Sequence, residues 1–168
     1  MAKYSAPPPM TIDQNKKYFA TIKMDIGDIK LELYPKEAPC HVNSFVFLAR
    51  DGYYDGLTFH RVERNPQPFV VQGGDPLGNG RGGPGYTVPL EVNPLRKNVD
   101  GSLAMARTQD PNSAGSQFFI NLKDNPQLEP GGVDQYGYTV FGGIVEGRDV
   151  LDKIVVGTKM NTIEIEEQ

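Results

Sequence analysis

The stretch Ala20-Thr21-Ile22-Lys23-Met24-Asp25-Ile26-Gly27-Asp28-Ile29-Lys30-Leu31-Glu32-Leu33 alternates apolar with polar side chains on both sides of a Gly-Asp turn. Successive side chains of a strand point to opposite faces. Ala20, Ile22 and Met24 therefore share one face, as do Ile29, Leu31 and Leu33, which is the pattern of a half-buried hairpin. Downstream, Pro39 can open a helix because its missing N–H falls where helices leave donors unpaired. Val42, Phe45, Val46 and Ala49 follow on one helical face, and Gly52 stands where a cap belongs. The spacing of Val150, Leu151 and Ile154 predicts a second helix over 146–155, with Gly157 just past its end. Short apolar runs at 58–62, 69–72, 102–106, 117–120 and 139–145 read as strands, and 162–165 alternates again. Eight short strands and two helices predict a mainly β protein, and strands so numerous and short point to a closed barrel, since closure removes exposed edges. Residues 1–17 are Pro-rich and aperiodic and read as an extended N-terminal arm on a single domain spanning 18–168.

Composition narrows the function classes. A chain of 168 residues can bury about two-thirds of its unfolded surface and needs no disulfides. Cys40 is the single cysteine, which suits a reducing compartment, so a cytoplasmic location is expected. No apolar run approaches the ~18 residues of a membrane span, and the N-terminus lacks the apolar core of a secretory signal. A net charge of −4 without basic clustering argues against nucleic-acid binding. Nineteen glycines and fourteen prolines point to many turns and long ordered loops, above all over 73–99.

The motifs of common enzyme chemistries are missing or misplaced. Gly78-Asn79-Gly80-Arg81-Gly82-Gly83 fits G-x-G-x-x-G, but Pro84 and Gly85 follow where a dinucleotide site needs a helix. It reads as a glycine-rich surface loop. Cys40, His41 and His60 form no zinc spacing, no carboxylate cluster resembles a calcium loop, and no nucleophile elbow is present. No metal or cofactor is expected. The informative segments are Phe59-His60-Arg61, Phe69-Val70-Val71-Gln72-Gly73-Gly74-Asp75, Met105-Ala106-Arg107 and Gly115-Ser116-Gln117-Phe118-Phe119-Ile120. Residues two apart share a strand face, so Phe59 could face with Arg61, Val70 with Gln72, and Gln117 with Phe119. One sheet face could thus present Arg61, Gln72 and Gln117 over an apolar floor. Spacing alone equally allows the aromatics to be core and the polar residues to be solvated.

At these segments, with Pro111-Asn112 and Val140-Phe141-Gly142, the chain resembles the cyclophilins, the cyclosporin-binding peptidyl-prolyl isomerases. The resemblance runs over roughly 18–165, and Met105-Ala106-Arg107-Thr108 looks like the bacterial branch. It implies a closed eight-stranded antiparallel β-barrel capped by two α-helices, and an isomerase that accelerates rotation about X–Pro bonds in peptides and folding proteins, with a chaperone role. The implied catalytic group is Arg61. Phe69, Val70, Phe119 and Leu128 match the walls of the proline pocket, Gln72 and Gln117 the holders of the substrate backbone, and Ala106 a groove-lining position. Gln127 stands where many members carry Trp, and Tyr138 where many carry His. The implied partners are proline-containing peptides and unfolded chains, with cyclosporin bound weakly because Gln127 cannot replace an indole. The loop 63–68 is longer than the common form and changes the rim of the groove.

An arginine suits this reaction. The barrier to rotation is ~18–20 kcal/mol because the C–N bond is partly double. In the twisted transition state the prolyl nitrogen regains its lone pair, and a donor aimed there binds that state better than either planar form. Two other readings are a peptide-binding module without useful catalysis and a structural role with residues 5–10 as a docking segment. No dimer seam is evident, and a monomer is expected.

Overall fold

The computed structural model describes residues 4–168. Its hairpin is β1 (Tyr18–Met24) against β2 (Gly27–Leu33), with Ile22 opposite Ile29. Both strands bury alternate residues, as their polarity requires. The remaining strands are β3 (Phe59–Glu63), β4 (Val70–Gly73), β5 (Ser102–Met105), β6 (Phe118–Asn121), β7 (Val140–Glu146) and β8 (Thr162–Glu167). They form one antiparallel sheet in the order β3-β4-β6-β5-β7-β2-β1-β8.

The sheet is an open half-barrel, which corrects the expectation of a closed one. β3 and β8 stand at its two edges and share no ladder. The seam is stitched only at one end: Phe59 N donates to Thr158 O and Gly157 N to Phe59 O, both at 2.9 Å, and Thr58 bridges Lys159. Gly157 has φ +94, a turn conformation, at the start of the segment 157–160 that makes this stitch.

Helix α1 (Pro39–Arg50) forms as expected and buries Val42, Phe45, Val46 and Ala49 against the sheet. No side chain at its own N-terminus caps it. Glu91 does so from a distant loop, accepting from Cys40 N at 3.0 Å and His41 N at 2.9 Å. The expected second helix shrinks to a single turn, α2 (Arg148–Leu151). Glu146 belongs to β7, and Gly147 at φ +88 breaks the chain between them; a Cβ there would lie 2.3 Å from Asp28 O. Val150, Leu151 and Ile154 are nevertheless buried, so the apolar stripe was legible although its helix was overextended.

The main core lies between the concave sheet and α1. Phe45, Tyr54, Phe59, Phe118 and Phe141 fill it, with Phe45 edge-on to Phe118 at 5.6 Å. A second apolar cluster of Val70, Ala104, Phe119, Leu128 and Val140 lies apart, on the outer face of the sheet. Along α1 run residues 4–17, which are neither helix nor strand. Asn43 holds this arm, accepting from Thr11 N at 3.0 Å and donating to Pro9 O at 3.1 Å.

Candidate active site

The outer cluster floors a groove, and strand parity explains how. On β4 the buried side chain of Val71 joins the core, so Val70 and Gln72 face outward. On β6 Phe118 and Ile120 join the core, so Phe119 faces outward. β3 departs from simple alternation. Phe59 pairs with Gly73 and Arg61 with Gln72, a β-bulge that places one extra residue, His60, on this strand. Phe59 therefore enters the core while Arg61 faces the groove, which corrects the expectation that the two share a face.

Arg61, Phe69, Val70, Gln72, Ala106, Phe119, Leu128 and Tyr138 together line a cavity of about 320 Å³. That volume lies near the lower end of small-ligand sites. Phe119 and Tyr138 meet edge-on at 5.8 Å. Arg61 hangs over the rim, its guanidinium 6.0 Å from the Phe69 ring. Its Nε donates to Glu63 at 3.2 Å and its Nη1 to Gln72 Oε1 at 3.2 Å. A guanidinium has five donors, and the other three have no partner among the described residues. Gln72 Nε2 then donates to Gln117 Oε1 at 3.2 Å, and Gln117 Nε2 to Gly82 O at 2.9 Å. This relay fixes the orientation of both amides.

The cavity walls come from loops, and a buried amide network ties them together. Asn125 Nδ2 donates to Phe69 O at 3.0 Å and to Asn121 Oδ1 at 2.8 Å. Asn121 Nδ2 donates to Asn98 Oδ1 at 3.1 Å and Ser102 Oγ at 2.8 Å. Asn98 Nδ2 reaches Glu129 Oε2 at 3.2 Å and, more weakly, Tyr138 O at 3.4 Å. All three asparagines are buried. Leu128 ends the short 3-10 turn Pro126–Leu128 and accepts Tyr138 N at 3.0 Å.

Gln117 is the one expected site residue outside this cavity. It lines a larger neighbouring one of about 810 Å³, together with Gln72, residues 80–87, Ala106, Thr108 and Ser113. The glycine-rich loop 78–83 therefore walls a groove. Its backbone wraps Asp75, which accepts from Leu77 N at 2.8 Å and Asn79 N at 3.0 Å. Burial pushes the Asp75 carboxyl up, but the backbone donors outweigh it and hold it below the usual carboxylate range. A Cβ on Gly82 would lie 2.1 Å from Asp75 Oδ1, so this position needs glycine.

With this geometry in place, residues 19–167 match the family model described as cyclophilin type peptidyl-prolyl cis-trans isomerase/CLD. The chain belongs to that family. Among its relatives, a peptidyl-prolyl cis-trans isomerase of Helicobacter pylori strain 26695 is 45% identical over 152 residues, covering 88% of this chain and 86% of its own. Peptidyl-prolyl cis-trans isomerase B of Bacillus subtilis is 42% identical over 144 residues, covering 84% and 93%. A crystal structure of a Cryptosporidium parvum cyclophilin superposes with TM-score 0.78 at 30% identity, covering 90% of this chain and 99% of that one. The same parasite protein in the presence of the dipeptide Ala-Pro superposes with TM-score 0.77 at 30% identity, covering 89% and 99%.

This cyclophilin is a peptidyl-prolyl cis-trans isomerase. Its cavity has two further lining residues that the sequence did not disclose, Arg107 and Val133. The Arg107 guanidinium stacks 4.3 Å from the Tyr138 ring and pairs with Asp134 at 2.8 Å. It also donates to Gly137 O and Thr108 O. Hydrogen bonding to Arg107 holds the Asp134 carboxyl below its ordinary range. Val133 is 60% exposed at the rim, in a glycine-flanked loop with no periodicity to betray it. Among the described residues no helix is long and apolar enough to cross a membrane, and no group of three or more His, Cys, Asp or Glu side chains could hold a metal ion.

Proposed function

We propose that the proline ring of an X–Pro substrate seats in the 320 Å³ cavity and that Arg61 donates to the prolyl nitrogen as the amide twists. The observation that carries this reading is a guanidinium, three of whose donors have no partner among the described residues, on the rim of a cavity floored by Val70, Phe119 and Leu128 and large enough to admit a proline ring. Phe69, Val70, Phe119, Leu128 and Tyr138 hold the ring, Ala106 lines the groove, and Gln72 and Gln117 hold the flanking backbone. Rotation then proceeds on one side of a fixed bond. The substrates are proline-containing peptides and folding chains.

Magnitude limits the part of Arg61. A charge-assisted hydrogen bond contributes ~1.5–3 kcal/mol, and a preorganised donor at a developing charge ~3–4 kcal/mol. Each ~1.4 kcal/mol is tenfold in rate, so Arg61 accounts for about 10²–10³-fold and the pocket for the rest. Arg61→Ala is expected to lower kcat/KM by that factor in a proline-limited refolding assay while thermal unfolding stays nearly unchanged. Near-normal catalysis in the variant would sink the mechanism. The same reading has cyclosporin binding weakly, because Gln127, exposed beside the neighbouring cavity, cannot replace the area of an indole. Nanomolar inhibition in a titration would contradict it.

A further inference from the structure

Three cavities lie in a row along the groove. The 810 Å³ cavity shares Gln72, Ala106 and Arg107 with the proline cavity, and the proline cavity shares Phe69 with a third. No residue lines both the first and the third, so they occupy opposite ends. The third measures about 320 Å³ and lies between the loop 63–68 on one side and Lys123 and Gln127 on the other. An extended chain with its proline in the middle cavity, advancing about 3.3 Å per residue, would pass the third cavity on one side of the proline, where alternate side chains can turn into it.

The charges there are unequal. Glu63, the only carboxylate lining this cavity, is bound to Arg61 Nε. Arg64 is turned away, its Nη2 donating to Leu151 O at 3.0 Å and Ile154 O at 2.8 Å. Lys123 Nζ meets only a neutral acceptor, Gln67 Oε1 at 3.2 Å, and has no ion pair among the described residues. An ammonium has three donors. We propose that this cavity is a substrate subsite for an acidic side chain, with Lys123 as its specificity-determining residue and the Gln67 and Gln127 amides as further donors. The proposal rests on the isomerase reading. A chain of net charge −4 does not attract acidic peptides at long range, so the preference is local to Lys123.

The test is isomerisation of short single-proline peptides with Glu or Gln at each of three positions on either side of the proline. On one side only, the Glu-to-Gln ratio of kcat/KM should be about two- to fivefold, the size of a half-exposed ion pair. It should fall to about one in Lys123→Gln and shrink with added salt. Lys123→Glu should invert it, favouring Lys peptides. A wild-type ratio near one at every position, or a ratio unmoved by Lys123→Gln, overturns the subsite. Absence of isomerisation for every peptide would instead refute the isomerase reading. Binding titrations of the Glu and Gln peptides, followed by the amide signals of Gln67, Lys123 and Gln127, then decide the subsite separately.

Discussion

At the scale of the residue, Arg107 couples the wall of the groove to its chemistry. Its side chain is 2% exposed, yet it carries a charge, which is tolerable because Asp134, two carbonyls and the Tyr138 ring surround it. Arg107→Ala removes the donors to Asp134 Oδ2 and Gly137 O and the cation over the Tyr138 ring, although Asp134 keeps Tyr136 N and Gly137 N. It is expected to cost about 2–3 kcal/mol in denaturant unfolding and to raise KM more than it lowers kcat, because the Tyr138 wall and the loop carrying Val133 lose their anchor. Arg107→Lys should recover the charge but not the stacked, forked geometry. A variant with unchanged KM would show that the wall does not depend on this residue. The outward set of Val70, Gln72 and Phe119 was legible, because strand parity fixes which side chains share a face. The position of Arg61 relative to Phe59 was not: a bulge is set by pairing with β4, and no residue pattern announces the extra residue.

At the scale of the element, α1 shows the same contrast. Its apolar face and its Pro39 start were readable from local spacing, but its cap was not. Glu91 lies about fifty residues downstream of the N–H groups that it accepts, and only the fold brings them together. Burial alone would push the Glu91 carboxyl up, but hydrogen bonds from the His41 ring and from the Cys40 and His41 backbone outweigh it, so the carboxyl sits below the usual glutamate range. The folded state thus holds this proton less tightly than the unfolded chain. The stabilisation is complete above the ordinary glutamate value and is lost as pH falls through the lower folded value, that is, below about pH 4.5. Thermal melts of wild type and Glu91→Gln should converge at acid pH, with the variant less stable near neutrality by about 1–2 kcal/mol. Parallel curves across the whole range would refute the assignment. α2 fails differently: its buried stripe was correct, but Gly147 turns the chain too sharply for more than one helical turn.

At the scale of the whole molecule, strand number and order of motifs were legible, and closure was not. Counting short strands favours a barrel, whereas the seam depends on whether the two edge strands meet, and β8 pairs with β1 alone. An open sheet leaves two rows of unpaired backbone groups. β3 is short and bulged, which makes it a poor template. β8 is longer, and Glu164, Glu166 and Glu167 stand exposed along it. Within the chain they are partnered by Lys23, Lys30, Lys16 and Arg50, and a second chain docking on that edge would have to pack against these charges. Replacing Glu164 and Glu166 with valine should leave the fold intact but give concentration-dependent growth in light scattering. A double variant that stays monodisperse at high concentration would mean that the edge is protected by its twist alone. The gap that keeps the barrel open thus leaves one long sheet edge marked by a few acidic side chains far from the groove.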